Sequence, residues 1–288
     1  MTSNQADSNA LTQSSLQEIV PHGQLANADL SGADLSSQDL YRINLHGANL
    51  SGANLSKAQL LGANLTDVNL TNANLSGADL RGVSLKGANL SSADLTGAYL
   101  YRSDLQGCNL TGATLTDVEL KLALYDGNTQ WPEGFRYKSS GAVGPGALLS
   151  GAYLNTANLK DADLRGAMMF GTYLSGANLQ GANLAGAGLS GANLQKAFLI
   201  GADLQGANMA GTELQRADLR ATNLTDADFS EVGSIAGADF GNAVGLSDQN
   251  RTKLLSHPAA ELDEWNAFTR RTTRQSLGGG DGGGDGGS

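Results

Sequence analysis

Residues 45–75 read LHGANLSGANLSKAQLLGANLTDVNLTNANL, and a leucine returns at every fifth position. The same beat runs from Leu25 to Leu120, twenty leucines without a miss. Two positions before nearly every leucine stands a small or β-branched residue, usually alanine, as at Ala28, Ala33, Ala48, Ala53 and Ala63. Between the two lies Asp or Asn in most repeats, as at Asp29, Asp34, Asn49 and Asn54. The unit is A-[D/N]-L-x-x. A period of five fits neither the 3.6 of a helix nor the 2 of a strand. Repeated without drift, it describes a supersecondary unit that buries its apolar face only by stacking on copies of itself, which is a solenoid. In an extended segment the leucine and the residue two before it share one face. Alanine and leucine therefore point inward, and the Asp or Asn points out. Glycine in the last slot (Gly32, Gly47, Gly52, Gly62, Gly77) suits a turn with unusual backbone angles.

The repeated A-[D/N]-L-x-x string resembles the pentapeptide-repeat family over about residues 25–246. The resemblance implies an all-β fold, a right-handed quadrilateral β-helix with one repeat per side and four per coil. To this pentapeptide-repeat solenoid the residues after 246 add a short helical C-terminal segment.

Composition agrees with one long solenoid. The chain holds 288 residues, with 39 Gly against 4 Pro, which fits many turns and few rigid breaks. A single cysteine, Cys108, allows no intramolecular disulfide, and its place in an inward alanine slot reads as a small buried residue. The first 24 residues show no basic start followed by an apolar run, and no stretch approaches ~20 apolar residues. The expectation is a soluble, cytoplasmic protein with no membrane partner.

Along the chain, residues 1–24 read as a mobile segment or cap, with Leu16, Ile19 and Val20 available to fold over the first coil. Residues 25–124 are the first array, about five coils on the family's plan. Residues 125–146 lose the repeat and collect Pro132, Pro145, Trp131, Phe135 and Tyr137. This is a loop or a replaced coil side, long enough to carry function. Its T-x-W-P-x-G-F string, Thr129–Phe135, is similar to an insert of cyanobacterial family members. Trp131 and Phe135 either pin the loop to the coil or mark a contact. Residues 147–246 are the second array, with Met169, Met209 and Phe229 standing in three leucine slots. The step from Leu120 to Leu149 is 29 residues, which shifts the phase; continuous stacking is expected, since two broken ends would otherwise need capping. The repeat then frays through Ile235, Asp239, Phe240 and Val244. In residues 247–275, Ser247 or Asp248 caps a helix with Leu254 and Leu255, and Pro258 starts a second with Leu262, Trp265 and Phe268 on one face. This segment is a terminal cap or a dimer surface, so the chain is a monomer or a C-terminal dimer. Residues 276–288 are a Gly-rich flexible tail.

Chemistry is not evident. His22, His46 and His257 lie in three different segments, there is no Cys/His cluster at zinc spacing, and no phosphate loop occurs. The reading is a non-enzyme without cofactor or metal. The outward aspartates read as a solvated surface. Family members that protect DNA gyrase resemble DNA in shape and charge, so a DNA mimic that binds a type II topoisomerase is the alternative function. About ten coils at ~4.8 Å give a rod of roughly 45–50 Å, for which B-DNA carries close to ~27 charges. Residues 25–246 hold 20 acidic and 13 basic residues, a net of −7. This acidic balance also argues against direct nucleic-acid binding, which needs a basic stripe.

One surface stands out. With four repeats per coil, residues twenty apart stack in a column. Tyr41-Arg42, Leu61-Gly62, Arg81-Gly82, Tyr101-Arg102 and Lys121-Leu122 form one, flanked by Asp39, Asp79 and Glu119, with Tyr99 alongside. Tyr and Arg are enriched at protein interfaces. The column either binds a protein or merely supports its own face with weak ion pairs. Phe198 and Ile200 are a smaller outward apolar pair. The protein-binding candidates are thus Tyr41, Arg42, Arg81, Tyr99, Tyr101, Arg102, Lys121, Trp131, Phe198 and Ile200. The function expected is a non-catalytic protein-binding or scaffold solenoid with an unidentified protein partner.

Overall fold

The structure, a computed structural model, describes residues 20–278. Leu16 and Ile19 of the expected N-terminal cap lie outside the described residues, as does most of the Gly-rich tail; Val20 is exposed. The chain divides into two compact units that part between Val143 and Gly144.

Unit 1 is a coil of twenty residues per turn. Its rungs are parallel bridges between residues twenty apart, from Gln24–Asn44 through Asp34–Asn54 and Asp39–Gln59 to Asp104–Leu124. Four bridges recur in each twenty residues, one per pentapeptide, so each repeat makes one side. Each side carries an isolated bridge rather than a continuous strand. The cause is local. The main chain turns within every repeat, with Ala48 N–H donating to the Leu45 carbonyl (2.9 Å) and Ala53 N–H to Leu50 (3.0 Å). Such a turn occupies four of five residues and leaves only the Asp or Asn position extended. The third turn residue has positive φ, as at Gly52 (65°) and Arg42 (52°), the mark of a type II turn. Leu45, Ala48, Leu50, Ala53 and their equivalents are buried and fill the coil.

The Asp and Asn side chains do more than meet solvent. Asn49 Oδ1 accepts from the Ser51 N–H (3.2 Å), and Asp29 Oδ1 from Ser31 (3.1 Å), which holds the next turn. Several of the asparagines also reach back one coil: Asn49 Nδ2 donates to Asp29 Oδ1 (3.0 Å) and Asn69 Nδ2 to Asn49 Oδ1 (3.1 Å). An ionised aspartate has no such donor. Asparagine in so many repeats is therefore a ladder of side-chain bonds between coils.

The insert begins as part of unit 1's coil. Tyr125 is buried in a core slot, and Gln130 bridges Asn109 across 21 residues. The chain then leaves the coil, makes a 3-10 turn at Tyr137–Ser139, and returns where Val143 bridges Leu124.

Unit 2 repeats the plan from Leu148–Met168 to Asn223–Val244. Ile235 and Phe240 are buried, so the frayed remnant still makes a coil. Helix α1 (Asp248–Leu255) follows, its first turn capped by Ser247 Oγ, which accepts from the Asn250 N–H (3.2 Å). Helix α2 (Ala259–Leu262) follows Pro258, then a hairpin of β1 (Trp265–Asn266) and β2 (Arg271–Thr272), then α3 (Thr273–Ser276). The expected helix through Leu262, Trp265 and Phe268 stops at Leu262. Asn266 is the reason. Its Oδ1 accepts from the Phe268 and Thr269 N–H groups (2.9 and 3.3 Å), and its Nδ2 donates to the Gly237 carbonyl (2.7 Å). A side chain that satisfies its own backbone competes with the helix. Leu262 is buried, while Trp265 and Phe268 are exposed. Other main-chain groups of the last coil also meet this segment: Glu261 Oε2 accepts from the Ile235 N–H (2.9 Å), and Thr273 Oγ1 donates to the Ile235 carbonyl (3.0 Å). Among the described residues no helix is long and apolar enough to cross a membrane.

Candidate protein-binding surface

Unit 1 assembles the column from backbone upward. At the turns, Arg42 N–H donates to the Leu61 carbonyl (3.1 Å), Gly62 to Arg81 (3.1 Å), Gly82 to Tyr101 (3.0 Å) and Arg102 to Lys121 (3.2 Å). These bonds, between residues nineteen apart, set residues twenty apart beside one another on successive coils. Asp39, Gln59, Asp79, Tyr99 and Glu119 form the bridge column beside them. Arg42, Leu61, Arg81, Tyr99, Arg102 and Lys121 are exposed, while Tyr41 and Tyr101 are half-buried. His22 extends the column by one rung. Its N–H donates to the Tyr41 carbonyl (2.8 Å), and its ring meets Tyr41 edge-on at 5.3 Å. It was legible by the same spacing, one coil before Arg42.

The arginines of this column are of two kinds. Arg81 closes on the aspartate two residues before it, with Nε to Asp79 Oδ1 at 2.8 Å and Nη2 to Oδ2 at 2.6 Å. The Arg81 hydrogen bonds hold the Asp79 carboxyl below its ordinary range. The same local D-L-R clasp recurs at Asp163–Arg165 and Asp218–Arg220. Arg42 and Arg102 follow a tyrosine instead. Their guanidinium carbons lie 5.2 Å from the Tyr41 ring and 5.1 Å from the Tyr101 ring, within cation–π range. Among the described residues, Arg42, Arg102 and Lys121 are in no ion pair.

The remaining candidates lie elsewhere. Trp131 is half-buried in an aromatic cluster, stacked with Tyr137 (5.2 Å, 3°) and Phe135 (5.5 Å, 26°) and edge-on to Tyr125 (5.6 Å). This arrangement supports the pinning role. Phe198 and Ile200 sit half-buried in unit 2, where Phe268 covers Phe198 edge-on at 6.2 Å.

Unit 2 carries an aromatic patch that the sequence reading missed. Leu148 and Met168 are bridge partners, as are Tyr153 and Tyr173, and all four are exposed together with Phe170. Tyr153 is 70% exposed and stacks in parallel on Tyr173 at 4.7 Å. The twenty-residue spacing of both pairs was the available signal. Among the described residues there is no metal-binding cluster of His, Cys, Asp or Glu.

The pentapeptide-repeat profile matches residues 28–123 and 145–244 in overlapping blocks, with eight copies. The chain belongs to the pentapeptide-repeat family. Members of this family form right-handed quadrilateral β-helices, and the four bridges per twenty residues match the four sides. Among solved structures, a pentapeptide-repeat protein, Rfr23, from the cyanobacterium Cyanothece 51142 is 33% identical over 38% of this chain and 88% of that one, with a TM-score of 0.38. HetL from Nostoc sp. strain PCC 7120, involved in heterocyst differentiation regulation, is 29% identical over 78% and 90% (TM-score 0.23). QnrB1, a plasmid-mediated fluoroquinolone resistance protein, is 16% identical over 81% and 98% (TM-score 0.34). No curated protein matches the chain.

Proposed function

We propose that this pentapeptide-repeat protein is a non-catalytic protein-binding solenoid, and that the column from Tyr41 to Lys121 is its binding surface. One observation carries the reading. Arg42 and Arg102 rest on tyrosine rings without a carboxylate partner, whereas Arg81, Arg165 and Arg220 are each closed on an aspartate. Oriented but uncompensated guanidinium groups are suited to a partner. The exposed Leu148, Tyr153, Met168, Phe170 and Tyr173 offer a second surface of the kind that marks protein contacts.

The DNA-mimic alternative gains nothing from the rungs of unit 1. Along its bridge columns no two successive rungs are acidic: Asp34 is followed by Asn54 and Asn74 before Asp94. The test is a pull-down from a lysate of the source organism with wild type and the triple variant Arg42→Glu, Arg81→Glu, Arg102→Glu. All three side chains are exposed, so the coil is expected to fold. The expected result is a protein retained by wild type and lost by the variant. The same protein on both would remove the column from the function, and capture of a topoisomerase would install the mimic reading.

A further inference from the structure

We propose that the column takes an extended stretch of its protein partner carrying two carboxylates four residues apart. This rests on the column being the protein-binding surface. Among the described residues its uncompensated cations are Arg42, Arg102 and Lys121, since Arg81 is already held by Asp79. Arg42 and Arg102 are three coils apart along one ladder. At ~4.8 Å per coil this is about 14 Å. An extended chain advances ~3.4 Å per residue and alternates faces, so residues i and i+4 share a face about 13.6 Å apart. Residues i+3 and i+5 face away. The two spacings agree within less than ~1 Å.

The floor between the two arginines suits the residue at i+2. Leu61 is 38% exposed on the rung after Arg42, and the Arg81 stem follows on the next rung. An apolar residue between the two acids has a surface to lie on. Both guanidinium groups are already set on a ring, so less freedom is lost when a carboxylate binds. The flanking acids narrow the ligand further. Asp39, Asp79 and Glu119 line the bridge column beside the cations. They repel a continuous polyanion and tolerate carboxylates that are few and correctly spaced.

The test is fluorescence anisotropy with the full chain and labelled synthetic peptides. The probe is Gly-Glu-Ala-Leu-Ala-Glu-Gly. The comparisons are a peptide with its two Glu three residues apart, one with both Glu replaced by Gln, and a single-stranded oligothymidylate. Binding of the probe is expected to be about tenfold or more tighter than that of either peptide comparison. R42Q/R102Q together is expected to weaken it about tenfold or more, and R81Q less than about threefold, because Arg81 is already paired. Equal affinity at both Glu spacings, an equal loss in R81Q, or tighter binding of the oligothymidylate overturns the proposal. So does the absence of binding by every acidic peptide. In that last case the pull-down separates the two readings, since loss of the partner in the triple Glu variant leaves the protein-binding surface standing.

Discussion

Leu60→Ala is expected to cost unit 1 about 3–4 kcal/mol, and Leu61→Ala, one residue on, less than about 0.5 kcal/mol. Leu60 is fully buried in the coil, while Leu61 is an exposed turn residue of the column. Truncating Leu60 removes three carbons from a packed interior and leaves a cavity that the coils above and below share. They cannot collapse into it, because Leu60 N–H donates to the Asp79 carbonyl at 2.8 Å and its neighbours are tied in the same way, which fixes the coil spacing. Leu61 contributes floor area to the proposed ligand surface and little to folding. Urea denaturation of both variants checks this, and similar costs for the two would mean that the inward assignment is wrong. In a repeat array the loss acts on the coils that share the leucine, so a broadened transition is part of the expected result.

Gly245→Ala is expected to destabilise unit 2 by more than about 3 kcal/mol. Gly245 has φ +75° and carries the chain from the last bridge, at Val244, toward the Ser247 cap of α1. A Cβ there would stand 2.1 Å from Thr225 Oγ1, 2.5 Å from Thr225 N and 2.6 Å from its Cα. The Thr225 hydroxyl is held by its bond to Asn223 Oδ1 (2.7 Å), and the backbone atoms are fixed by their coil. Gly52→Ala is the control. Its φ is also positive, at +65°, but nothing lies within 4 Å of the added Cβ. That change carries only the left-handed cost of about 1–2 kcal/mol. Equal losses in the two variants would show that turn conformation matters at Gly245 and close approach does not.

The inward pair was legible because leucine keeps its phase for twenty repeats, and the columns followed from the four repeats per coil that the resemblance to the pentapeptide-repeat family implies. Asparagine's second role was not. Its bond to the preceding coil appears only once residues twenty apart are neighbours, so an outward Asn looks solvated in sequence. The contrast between Arg81 and the arginines at 42 and 102 was within reach, because the clasp is local: an aspartate two residues before Arg81, against leucine and leucine before the other two. The hairpin after Leu262 was hidden for a different reason. Leu262, Trp265 and Phe268 have helical spacing, but a bond from Asn266 to the distant Gly237 carbonyl decides the local structure. Tyr125 in a core slot was within reach, since it stands five residues after Leu120 with Ala123 two before it, and only the change from leucine to tyrosine disguised it.

The most direct test shortens the distance between the two free arginines and takes with it the already paired Asp79 and Arg81. Deleting Asn64–Val83 removes one whole coil, joins Ala63 to Ser84 in the same phase, and leaves Tyr41-Arg42 and Tyr101-Arg102 in place. The two free arginines then stand two coils apart, about 9.6 Å. The measurement is the affinity of this shortened protein for the peptide with acids four residues apart, with its circular dichroism spectrum as the check on folding. A native-like spectrum with affinity reduced about tenfold or more is the predicted result. A native-like spectrum with unchanged affinity would contradict recognition by the spaced pair.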